Sequence, residues 1–314
     1  MYFIVAVRAV LPVFLLIAAG FLFRRAHLLS DGTVNQCNTL AFRFFLPCQI
    51  FQNVFEADLS AGFSLRLAVF TAAGVLLVFL LSLLVGRTEP RPEKRGVLEQ
   101  GIFRGNFVLL GIPILSSLFG ADNLGPLPLM VAIVVPMFNI LSIMVLEKND
   151  PTAPPRSVGQ LLLDMLKNPL IIGSVLGLLA KLTDLPLYRS VVFRSTLGYL
   201  AQLATPLTLL MLGAALRPAS IRDNRRQVLL SLTGKLILAP MLALFAGAAL
   251  GFRGPELGLL LVVFATPTAA NSYIMAVQCG GDSDLAANLV VYSTACSCVT
   301  LFFWIVLLQQ LAWL

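Results

Sequence analysis

Long apolar runs recur along this 314-residue chain, separated by short polar or charged segments. Ten of them stand out, at roughly 2–23, 35–55, 63–86, 97–119, 126–146, 164–182, 191–215, 228–250, 256–279 and 284–312. Each approaches or exceeds the ~20 residues that a helix needs to cross the hydrocarbon core of a bilayer. The first run has no basic leader ahead of it, only Arg8 within it, and no small-residue cleavage site before Arg24-Arg25, so it reads as a retained helix. Asp164 and Lys167 interrupt the start of the sixth, which makes Asn168-Pro169 an alternative beginning.

Composition agrees with lipid as the solvent. The chain is 58% hydrophobic and 12% charged, against ~45–50% and ~25% in soluble domains, and its mean hydropathy is +0.91. That excludes a soluble enzyme and a disordered chain. The net charge of +7 then becomes a topology signal rather than a pointer to nucleic acid. Thirteen basic residues (Arg24, Arg25, Arg87, Arg91, Lys94, Arg95, Lys148, Arg156, Lys167, Arg217, Arg222, Arg225 and Arg226) fall on one side of the ten spans, and six (Arg8, Arg66, Lys181, Arg189, Arg194 and Arg253) on the other. The richer side is expected to be cytoplasmic, which with an even number of spans puts both termini outside. The five cysteines are scattered, with no zinc-site spacing and no disulfide framework. Neither a metal nor a cofactor is expected.

The Pro- and charge-rich loops 87–101 and 147–163 are the longest. The second divides the chain into a first five-helix half (1–150), a linker (151–163) and a second five-helix half (164–314). At an offset of about 160, Pro47 falls near Pro206, Gly74 meets Gly234, and Gly120-Ala121-Asp122 meets Gly280-Gly281-Asp282. Five is odd, so equivalent helices run in opposite directions, as in inverted-repeat transporters. The expected fold is an all-α polytopic membrane protein with ten transmembrane helices in two inverted five-helix repeats.

Two spans are expected to be broken at prolines and to cross. The fourth contains Arg104-Gly105-Asn106 and Gly111-Ile112-Pro113, and the ninth Thr266-Pro267-Thr268-Ala269-Ala270-Asn271-Ser272. Proline removes a backbone donor and frees carbonyls that lipid cannot satisfy, so such a break belongs against protein or a water-filled cavity. Each break also begins a half-helix with free N–H groups and a partial positive charge. Two of them meeting antiparallel form a site for an anion, with Asn106 and Asn271 as side-chain partners. Pro12, Pro47, Pro136, Pro206 and Pro240 read as simple kinks.

Three cations, Arg43, Arg104 and Lys235, lie seven to nine residues inside their spans, with no acid at similar depth; that is about 10–14 Å from the interface. They favour a negative guest, although long basic side chains also snorkel to the interface. Gln49, Gln52, Asn53 and Gln202 are candidates to line a path. An enzyme is not expected: there is no His-Glu-x-x-His and no pair of acids at membrane depth.

The segments Asn106…Gly111-Ile112-Pro113 and Pro267-Thr268-Ala269-Ala270-Asn271, the Gly280-Gly281-Asp282 turn and Ser293-Thr294…Thr300 resemble the auxin efflux carrier family. That family includes plant PIN-type carriers and bacterial malonate and malate permeases. The short central loop is similar to the bacterial members, which implies the bacterial inner membrane. One departure is Val108-Leu109, where the family commonly has Gly-Phe. The resemblance implies a scaffold of helices 1, 2, 6 and 7, through which a homodimer would form, and a moving unit of helices 3–5 and 8–10. It also implies elevator-type transport of mono- or dicarboxylates such as malonate, malate or auxin-like acids. The expected substrate-binding residues are Arg104, Asn106, Gly111, Pro113, Lys235, Thr266, Pro267 and Asn271. Coupling stays open. The helix cores hold no carboxylate for a proton, uniport needs none, and sodium would use freed carbonyls with Thr266, Thr268 or Ser272, as in the related bile-acid/sodium symporters. A sodium-coupled carrier of that kind, or a non-transporting receptor or scaffold, is the alternative function.

Overall fold

The computed structural model describes residues 2–56, 64–120, 127–151, 166–183, 188, 190–217 and 221–314. The linker from 152 to 163, Ala121-Asp122 of the repeated turn, and Arg156, Asp164 and Arg189 lie outside the described residues. The helices are α1 (Tyr2–Arg25), α2 (Asp31–Leu40), α3 (Leu46–Glu56), α4 (Leu65–Gly86), α5 (Pro92–Phe103), α6 (Phe107–Phe119) and α7 (Leu127–Lys148). They continue with α8 (Pro169–Leu182), α9 (Val191–Ala215), α10 (Ile221–Leu232), α11 (Ala239–Ala249), α12 (Pro255–Ala265), α13 (Asn271–Gln278) and α14 (Ser283–Gln310). Among the described residues, five stretches are long and apolar enough to cross a membrane unaided: Leu65–Gly86, Met130–Lys148, Val191–Ala215, Ile221–Ala249 and Ser283–Gln310.

Local chemistry fixes many of the helix ends. Pro92, Pro169 and Pro255 occupy first positions, where their missing N–H costs nothing. The side chains of Ser30, Ser64, Asn168 and Asp282 accept hydrogen bonds from first-turn N–H groups. Two π-helical stretches, Ala41–Phe45 between α2 and α3 and Thr233–Leu238 between α10 and α11, each end two residues before a proline. Pro47 and Pro240 cannot donate to the carbonyls four residues back, and the wider turns leave Leu46 bonded to Ala41 and Ala239 to Gly234. The Leu236 carbonyl, which Pro240 would otherwise have served, accepts the Trp304 indole N–H at 2.9 Å.

Two helices begin earlier than hydropathy predicts. α5 starts at Pro92 and α10 at Ile221, inside segments expected to be loops. Lys94, Glu99 and Gln100 of α5 and Asn224 and Gln227 of α10 face protein rather than lipid. Lys94 donates to Asn224 Oδ1 at 2.6 Å and lies 3.7 Å from an Asp282 carboxylate oxygen. Gln227 donates to the Glu89 carboxylate, which also accepts from Arg91.

Two sets of contacts stand out, joined to each other by α1, which also packs on α14 and α6. α1 lies along α9, and α3 along α8 and α9. These helices approach almost backbone to backbone: a Cβ on Gly213 would overlap the Ile17 carbonyl oxygen, and one on Gly20 that of Leu210. Gly173 and Gly177 approach the carbonyls of Pro47 and Phe51 in the same way. The second set joins α4 to α5, α5 to α7, α6 and α11 to α12, and α10 to α14. At its centre is α12, buried on every side from Leu257 to Ala265, as expected for a helix that is apolar all round. Outward, Leu76, Leu77, Leu80 and Leu84 of α4, Leu176 and Leu179 of α8, and Val191 and Val192 of α9 are exposed, an apolar exterior suited to acyl chains.

Candidate functional site

α5 ends at Phe103, Arg104 is extended, and α6 begins at Phe107. In parallel fashion α12 ends at Ala265, Thr266 is extended, and α13 begins at Asn271. The two interruptions are bonded to each other. Gly105 and Thr268 form an antiparallel bridge, and the Asn106 N–H donates to the Pro267 carbonyl at 2.8 Å. Side chains complete the seam: the Thr268 N–H donates to Ser293 Oγ at 3.1 Å, and the Thr268 hydroxyl to the Gly101 carbonyl at 3.1 Å. Backbone groups that lipid would strand are thus satisfied inside the protein.

The break in the fourth span is not at its proline, contrary to expectation. Pro113 lies inside α6, whereas the chain opens at Arg104–Asn106. The reason is space. A Cβ at Gly105 would fall 2.9 Å from Lys235 Nζ, 2.9 Å from the Val263 carbonyl oxygen and 3.0 Å from Thr266 Oγ1. Only glycine fits among these three atoms while keeping the bridge to Thr268. In the ninth span the interruption does contain its proline, Pro267.

Beside the starts of α6 and α13 lies a cavity of about 410 Å³. Arg104, Asn106, Pro113 and Asn271 line it, together with Gln49, Asn53, Phe138, Asn139, Thr205 and Thr208. Arg104 is 3% exposed. Its guanidinium donates to Asn139 Oδ1 at 2.9 Å, Asn271 Oδ1 at 3.1 Å and the Met275 sulfur at 2.7 Å. Among the described residues no carboxylate pairs with it. The Asn139 amide nitrogen is buried with no partner. Neutral oxygens hold the cation in place without cancelling its charge, and the half-helix starts add positive potential on the same side.

The other expected residues lie elsewhere around the breaks. Gly111 faces Val262 and Leu127. Thr266 is buried and its hydroxyl donates to the Val262 carbonyl, while Pro267 belongs to the bridge. Lys235 is 1% exposed and sits at the ends of α5 and α12, outside the cavity lining. Arg43 is exposed, so its charge is not buried inside the protein. Gln49 donates to Thr205 and Gln52 to Glu56, and Gln202 is exposed. Asn139, Thr205 and Thr208 went unread in the sequence. Asn139 had a usable signal, as a lone amide three residues after Pro136 in an otherwise apolar run.

A helical, lipid-facing protein with a polar, cation-bearing cavity at paired helix breaks has the organisation of a membrane transporter. The chain belongs to the membrane transport protein family, the auxin efflux carrier family, whose model matches residues 5–305. It is 24% identical to an uncharacterized transporter of Methanothermobacter thermautotrophicus over 98% of this chain and all of the relative. It is also 24% identical to an uncharacterized transporter of Methanocaldococcus jannaschii, over 94% of this chain and 96% of the relative.

Proposed function

We propose that this transporter moves small organic anions, mono- or dicarboxylates such as malonate, malate or auxin-like acids, across the bacterial inner membrane. The observation that carries the reading is Arg104, a buried cation held only by neutral acceptors and lining a cavity at two half-helix starts. A carboxylate entering there gains a charge-assisted, two-pronged partner, with the amides of Asn106, Asn139 and Asn271 within the same lining. A volume of about 410 Å³ suits a small ligand.

The motion proposed is of elevator type, with ten spans as two inverted five-helix repeats and the broken fourth and ninth spans crossing. Paired contacts support the repeat. Gly20 of α1 packs on Leu210 of α9 as Gly177 of α8 packs on Phe51 of α3. Gly74 of α4 packs on Phe264 of α12 as Gly234 packs on Ile102 of α5. In each case exchanging the halves turns one contact into the other. The tight first set of helices would be the scaffold and the site of homodimer formation. The second set would be the moving unit, with both chain termini outside.

Uptake of labelled malonate, malate and indole acetate into proteoliposomes tests the proposal. Saturable flux, reduced at least about tenfold by N106A or N271A, is the expected result. No flux with any carboxylate would overturn the reading, and unsaturable inorganic-ion flux would indicate a channel.

A further inference from the structure

α4 and the stretch Ile221–Ala249, which joins α10 to α11, stand side by side on the outside of the protein. At one end Arg226 of α10 donates to the Thr88 carbonyl at 3.1 Å, which ties the start of α10 to the turn after α4. Arg87, Arg222, Arg225 and Arg226 are all exposed there, and among the described residues none of the four has a carboxylate partner. Asp223 is the acid nearest in sequence, while Glu89 is already paired with Arg91. Cations in the first turns of a helix oppose its dipole, so the stability of α10 does not account for its three arginines.

Farther along the same two helices the surface turns apolar. Leu84 and Leu80 of α4 and Leu229 of α10 are exposed just beyond the arginines. Beyond these, Ala73, Gly74 and Leu77 of α4 face Ala243 and Ala246 of α11 across a cleft of about 170 Å³. The Phe264 ring of α12 lies beneath Gly74. About 16 Å of helix separates Thr88 from Leu77, close to the ~15 Å of hydrocarbon that one leaflet contributes to a bilayer core of about 30 Å.

We propose that this surface seats one anionic phospholipid of the leaflet level with the α4–α5 turn. Its phosphate lies on the arginines, and one acyl chain runs past Leu84 and Leu80 into the cleft. A zwitterionic lipid fills the cleft but brings no net charge to four unpaired guanidiniums. Free phosphate meets the guanidiniums but leaves the apolar part uncovered. The seat stands apart from the cavity at Arg104, so it does not depend on the anion-carrier reading.

The test titrates the full-length protein, in neutral detergent at low salt, with dioleoylphosphatidylglycerol, dioleoylphosphatidylcholine or inorganic phosphate. Bound lipid is read by native mass spectrometry and stabilisation by thermal unfolding. Phosphatidylglycerol is expected to bind saturably, at least about tenfold more tightly than phosphatidylcholine, and to raise the melting temperature. Phosphate is expected to leave the melting temperature unchanged. R87Q/R222Q/R225Q removes three charges, keeps the Arg226 bond to Thr88, and is expected to bind phosphatidylglycerol at least about tenfold more weakly. Ala246→Phe fills the cleft from its exposed side and is expected to weaken binding several-fold with the arginines intact. Equal binding of the two lipids overturns the proposal, as does either variant binding phosphatidylglycerol as tightly as wild type. Stabilisation by phosphate equal to that by phosphatidylglycerol reveals a simple anion site and also overturns it. Should a variant fail to fold, the comparison of the three ligands on wild type still decides.

Discussion

Asn106 and Pro267 are far apart in sequence, yet the N–H of one donates to the carbonyl of the other at 2.8 Å. Beside them Gly105 pairs with Thr268 in an antiparallel bridge. Each interruption supplies what the other lacks, so neither can be displaced without stranding polar groups of its partner. The cavity with Arg104 on one side and the lysine on the other are both built on this seam.

Arg104 is expected to be the residue on which anion uptake depends most. R104A should lower uptake at least about tenfold, since a hydrogen bond to a charged group contributes about 1.5–3 kcal/mol. R104K keeps the charge but not the planar fork, and should recover only part of the flux. Initial rates in proteoliposomes, normalised to reconstituted protein, check both.

Ser293 holds the seam from α14. Its hydroxyl oxygen accepts the Thr268 N–H and its own proton goes to the Val290 carbonyl. S293A leaves a buried N–H unpaired, which costs about 1–3 kcal/mol. The melting temperature should fall by a few degrees. S293T, which keeps the hydroxyl, should lose less.

Gly213 is expected to tolerate no side chain, because a Cβ there would meet the Ile17 carbonyl oxygen. G213A should destabilise by about 1–3 kcal/mol or separate α1 from α9. The control is Gly32 in α2, where the nearest atom to a Cβ is Ser30 Oγ at 3.7 Å. G32A should be neutral or slightly stabilising. Thermal unfolding of the two variants side by side gives the comparison.

Glu89 lies in the turn between α4 and α5. Burial alone would raise its carboxyl, but hydrogen bonds from Arg91 and Gln227 outweigh this and hold it below the ordinary glutamate range. A carboxyl depressed in the folded protein adds stability that is complete above its unfolded value and is lost as pH falls through the folded one. Wild type should therefore lose melting temperature as pH drops below about 4. E89Q should be less stable at neutral pH and show a shallower acid decline.

Much of the architecture was legible because lipid imposes length and apolarity on every span. The breaks were legible because Gly, Asn, Thr and Pro cluster abnormally at 104–113 and 266–272. Two things were hidden. Helix starts at Pro92 and Ile221 were masked because Lys94, Asn224 and Gln227 are polar residues that face protein, which hydropathy cannot distinguish from polar residues facing water. The break position was masked because Pro113 is the louder signal, whereas the opening is fixed by crowding around Gly105, a tertiary fact. In the same way Arg104 and Lys235 looked alike as buried cations, and only their surroundings separate one facing the cavity from one facing helix ends.

The chain contains two tryptophans. One, Trp304, is buried with its indole on the Leu236 carbonyl, one residue from Lys235. Replacing Trp313 with phenylalanine would leave a single tryptophan, excited selectively over the five tyrosines near 295 nm, bonded to the opened turn of the lysine helix. Its emission maximum would then serve as a label-free optical readout of that turn while a cargo enters or leaves on the far side of the bridge.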